Sequence, residues 1–120
     1  MTTYKDGLYH KDIYFPPLKL ANKNIQVFYT CHAIKSAETD RYEVIQLPNC
    51  INPSLGEPIE VEIKNNCLVK IIIRFSYSKE YDLIMAFLPD TWSVKTTWLN
   101  EKGDVHKTLN PSRCISKPTG

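Results

Sequence analysis

The clearest pattern in the chain lies between Ile59 and Phe75. Ile59, Val61 and Ile63 alternate with Glu60, Glu62 and Lys64; after Asn65-Asn66, Val69, Ile71, Ile73 and Phe75 alternate with Leu68, Lys70, Ile72 and Arg74. A period of two on both sides of a turn dipeptide predicts a β-hairpin. Its register has two solutions. A two-residue Asn-Asn turn sets Ile59 and Val61 on the face of Lys70 and Ile72. A three-residue loop, Lys64-Asn65-Asn66, pairs Ile63 with Cys67 and Val61 with Val69. The second gathers the β-branched residues on one face and puts Glu60 opposite Lys70, so it is the register expected.

The same reading extends in both directions. Tyr81 to Leu88 is a nearly continuous apolar run, as in a central strand covered on both faces. Pro89-Asp90 turns the chain, and Trp92 to Leu99 gives a fourth strand with Trp92, Val94, Thr96 and Trp98 on one side. Upstream, Ile25, Val27 and Tyr29 suit a short strand, and Thr30 is an N-cap for a helix from about Cys31 to Tyr42. At 100° per residue Ala33, Ile34 and Ala37 share a face with Arg41 at its end, while His32, Ser36 and Thr39 share another. Pro48, Asn49, Asn52, Pro53, Gly56 and Pro58 mark a connector. Residues 1–24, with Pro16-Pro17 and four aromatics, read as an extended arm docked on the domain. The expectation is an α+β fold: a short helix packed on a four-stranded antiparallel β-meander, with an N-terminal arm (1–24), a single domain (25–115) and a flexible tail (116–120).

Composition narrows the picture less. A chain of 120 residues with 42% hydrophobic content builds one modest core. A net charge of +2 is compatible with nucleic acid but does not require it. With no leader-like segment and no apolar run long enough to span a bilayer, a cytoplasmic protein without membrane contact is expected. Cys31, Cys50, Cys67 and Cys114 lack zinc-knuckle spacing and read as reduced thiols, so neither metal nor cofactor is expected. Gly-rich phosphate loops, HExxH and GxSxG are absent from the sequence.

The remaining candidate chemistry is phosphodiester cleavage without metal. It needs a base for the 2′-hydroxyl, an acid for the leaving oxygen and cations for the charge growing on phosphorus. His32, at a helix N-terminus where the dipole favours a neutral imidazole, suits the base. His106 is the second histidine of the same half. Lys70 and Arg74, on one side of one strand, could clamp a phosphate, with Arg41, Lys95 and Thr97 extending the substrate surface. A structural reading stands beside each: His32 bonding a carbonyl, Lys70 and Arg74 pairing with Glu60 and Glu62 across the hairpin, Arg41 serving its own helix end.

Thr30, His32 and Ala33 at a helix start, Asp40-Arg41 further along, and Lys95, Thr96 and Thr97 in the last strand give a pattern that resembles small RelE/ParE-like toxin domains. It is similar as well to phage RegB-type endoribonucleases; the resemblance covers roughly residues 25–99. It implies a RelE-like fold and a metal-independent endoribonuclease, toxin or phage-encoded, with RNA as substrate and a cognate inhibitor or host protein as partner. Two non-catalytic readings stand against it. One is a small phage-type inhibitor that binds and blocks a host protein; the other is an inactive RelE-like module that binds RNA without turnover.

Overall fold

The computed structural model describes residues 4–104 and 114–115. Its ten elements are strands β1 (Gly7–His10), β2 (Ile25–Gln26) and β3 (Phe28–Tyr29), helix α1 (Cys31–Glu38), β4 (Cys50–Ile51), a 3-10 turn (Pro53–Leu55), and β5 (Glu57–Lys64), β6 (Cys67–Ser76), β7 (Tyr81–Leu88) and β8 (Ser93–Glu101). Six strands form one mixed sheet in the order β1-β5-β6-β7-β8-β3, and β2 and β4 form a separate two-stranded ribbon. The described residues are mostly β with one short helix. This overturns the expected α+β class with its four-stranded antiparallel meander.

A short segment added at each edge of the sheet accounts for the difference. Gly7–His10, assigned to an arm, is the antiparallel edge strand against β5, with Tyr9 opposite Val61 and almost completely buried. Four residues are not enough to display a period of two. At the other edge, β3 runs parallel to β8, pairing Phe28 with Ser93 and Tyr29 with Val94. Cys114 is buried and bridges Leu8 in the parallel sense. Helix α1 also stops at Glu38, four residues before Tyr42, because the Thr39 N–H closes on the Lys35 carbonyl and Asp40 turns the chain.

The hairpin register differs as well. Asn65 and Asn66 both sit at positive φ (53° and 59°), so the turn has two residues and pairs Lys64 with Cys67. Asparagine tolerates this left-handed geometry, and two such residues match the twist of the flanking strands. A bulge at Val69 then shifts the ladder, giving Glu62 opposite Lys70 and Val61 opposite Ile71. The tight turn is kept and Val61 and Ile63 share a face with Ile71 and Ile73, with Val69 left unpaired; a second irregularity between Pro58 and Glu60 leaves Ile59 unpaired and on the opposite face.

The sheet separates two apolar clusters. On one face Val61, Ile71, Ile73, Met85, Phe87, Val94 and Leu99 pack with Ala33 and Ala37 of α1 and with Val27, Ile45 and Ile51. The other face carries Ile59, Ile72, Ile84 and Ala86, with Trp98 against them. α1 is held at its start by Thr30, whose Oγ1 accepts from the Ala33 N–H (3.1 Å) and donates to the Lys95 carbonyl (3.1 Å). Thr30→Ala removes both bonds, and urea unfolding should show a loss of about 1.5 kcal/mol.

Candidate functional site

The connector between α1 and β5 bounds an apolar concavity. It is tied down at several points. The Val27 N–H donates to the Asn49 carbonyl (3.0 Å), the Tyr29 hydroxyl donates to the Pro48 carbonyl, and the Gln46 N–H donates to the Tyr77 hydroxyl (2.9 Å). Burial pushes the Tyr29 phenol up to about 12, which keeps it a donor at any physiological pH. Asn52 caps the 3-10 turn by accepting from the Ser54 N–H (3.1 Å). Between this strap and strands β6 and β7 lies a cleft of about 390 Å³ lined by Ile51, Leu55, Phe75, Tyr77, Leu83 and Met85. Leu55 stands on its rim, 78% exposed, and Val44, on the segment leading into the strap, is 65% exposed.

The residues expected to do chemistry are dispersed. His32 is exposed on α1, which packs on the face of the main cluster. Lys70 and Arg74 flank Ile72 on β6 and share its side of the sheet, the opposite face. Lys70 lies opposite Glu62. Each nitrogen of the Arg74 guanidinium is engaged within the fold: Nε donates to Asp82 Oδ2 (2.7 Å), Nη1 to the Asp104 carbonyl (2.7 Å) and Nη2 to the Glu101 carbonyl (3.0 Å). Asp82 also accepts from Lys102 Nζ (2.7 Å). Burial pushes the Asp82 carboxyl up, but the hydrogen bonds and charges of Lys102 and Arg74 outweigh it and hold the group below its ordinary value. This network braces three strands and leaves Arg74 no open fork for a phosphate. His106 lies outside the described residues.

Part of the expected substrate surface does come together. Arg41 and Thr97 line a groove of about 350 Å³ between the end of α1 and β8, with Ser36, Thr39 and Thr96. Thr97 is buried, and its hydroxyl donates to the Ile84 carbonyl (2.9 Å), so it shapes the groove and offers no free hydroxyl. Lys95 is exposed on a bulge of β8, and its carbonyl accepts from the Thr30 hydroxyl at the start of α1. The apolar cleft was missed in the sequence. Its one signal is Leu55, an isolated large apolar residue inside a Pro/Asn/Gly connector that otherwise has no reason to be hydrophobic. No family model, curated protein or solved structure matches this chain.

Proposed function

We propose that this chain is a non-catalytic binding protein that captures an apolar side chain of a partner protein in the cleft beneath the 46–55 strap. The observation that carries the reading is the cleft with its aliphatic rim. Open apolar concavities with a few convergent polar groups are the usual form of a binding site, and the exposed Leu55 extends the apolar surface outward as a partner's surface would need. An enclosed cavity would instead favour a small free ligand. The catalytic reading loses support because His32 and the Lys70/Arg74 pair face opposite sides of the sheet, so no reacting atom could sit within reach of both.

The test uses indole as a stand-in for the partner's side chain, titrated into the ¹⁵N-labelled chain. Saturable shifts confined to residues around Ile51, Phe75 and Met85 are expected. Leu55→Asp should abolish them while leaving stability within about 0.5 kcal/mol, since the side chain is largely in water. The absence of any saturable response would sink the reading. So would metal-independent RNA cleavage that leaves a cyclic phosphate and disappears in His32→Ala, which would restore the endoribonuclease.

A further inference from the structure

Arg41 is built unlike the other arginine of the described fold. Arg74 places three donors on acceptors, whereas Arg41 makes no hydrogen bond or ion pair among the described residues. It is nevertheless held in place. Its guanidinium carbon sits 4.6 Å from the centroid of the Tyr42 ring, and Tyr42 stacks on Tyr81 at 4.8 Å with 26° between the planes. A cation fixed over an aromatic tier keeps all of its N–H donors pointing outward while losing little freedom on binding. Arg41 lines the groove between α1 and β8, together with Ser36 and Thr96.

The groove also identifies the charge it would accept. Asp40 lines it, with Oδ1 accepting from the Leu99 N–H (3.1 Å) and Oδ2 from the Tyr42 N–H (3.1 Å). One cation beside one bound carboxylate makes a nearly neutral site. Such a site suits a single negative charge and disfavours a phosphate dianion or a polyanionic backbone. We infer that Arg41 is a carboxylate-recognition residue, receiving an acidic side chain of the same protein partner whose apolar side chain enters the cleft. This rests on the binding reading above. Arg41 in the groove lies five residues before the cleft-lining Gln46, a separation of at most ~17 Å along the chain. A partner in extended form would therefore present its acidic and apolar side chains within about five residues of each other.

The two halves separate experimentally. Sodium acetate and inorganic phosphate are titrated into the full chain at matched ionic strength, following the Arg41 Nε–H and the Thr39 and Thr96 amides. Acetate should bind saturably at roughly tens of millimolar, and Arg41→Gln should weaken it at least about fivefold. Tyr42→Leu, which removes the platform and keeps the charge, should weaken it by about threefold. Indole binding should be unchanged in Arg41→Gln. No saturable acetate response, an equal response in Arg41→Gln, or tighter binding of phosphate than of acetate would each overturn the assignment. Loss of acetate binding with indole binding intact would remove this inference alone; loss of indole binding with acetate retained would remove the cleft reading and leave an anion site without its partner.

Discussion

Arg74→Ala should destabilise the fold by about 3 kcal/mol, lowering Tm by roughly 10 °C. The side chains of Arg74 and Asp82 are 12% and 16% exposed, so solvent screens the pair only weakly. Removing the guanidinium leaves the Glu101 and Asp104 carbonyls without their donor and Asp82 with Lys102 alone, itself 39% exposed. The pH dependence follows from Asp82. Its folded value lies below the ordinary 3.8, so its contribution is complete above that value and is lost as pH falls through the lower folded one. Urea midpoints measured from pH 7 down to pH 2 should therefore drop steeply below about pH 4, and Asp82→Asn should flatten that limb while lowering the plateau. A plateau unchanged in either variant would mean that the network is an ordinary surface pairing. RNA cleavage, if any were found, should not track this stability change, because Arg74 is occupied within the fold.

The long elements were legible because they carry period. β5 and β6 alternate over enough residues to declare themselves, and YDLIMAFL reads as a buried central strand because both of its faces are covered. Thr30 announced the helix start by a local bond that needs no tertiary partner. What escaped was set at long range. Gly7–His10 becomes a strand because β5 presents an edge to it, and the strand expected over 25–29 splits because Ile25-Gln26 pairs with β4 and Phe28-Tyr29 with β8. The hairpin register turned on a bulge at Val69 that alternation alone cannot locate. Side-chain facing is likewise invisible until the crossing of α1 over the sheet is known. That is why His32 and Arg74 looked compatible in one dimension and stand on opposite sides in three. Arg41 and Thr97, which do meet, come from the helix end and the strand that packs beside it.

The second large effect is expected at Gly56. Its backbone angles are ordinary for any residue (φ −103°, ψ 170°), so glycine is there for space and not for conformation. A Cβ at this position would lie 2.3 Å from Ile73 Cγ2 and 2.7 Å from the Phe75 ring. Ile73 is fully buried and its Cγ2 is attached directly at the branch, so it cannot swing away. The Pro53–Leu55 turn must lift off the sheet instead, carrying Leu55 away from the cleft it borders. Gly56→Ala should therefore cost about 2 kcal/mol by overpacking and should weaken indole binding at least about tenfold. Gly103→Ala is the control, because its Cβ would meet nothing within 4 Å, and it should leave both quantities unchanged. A Gly56→Ala chain as stable as the parent, with indole still bound, would show that the turn moves freely. The cleft would then be a gap under a loose strap with no fixed shape for a partner to fit.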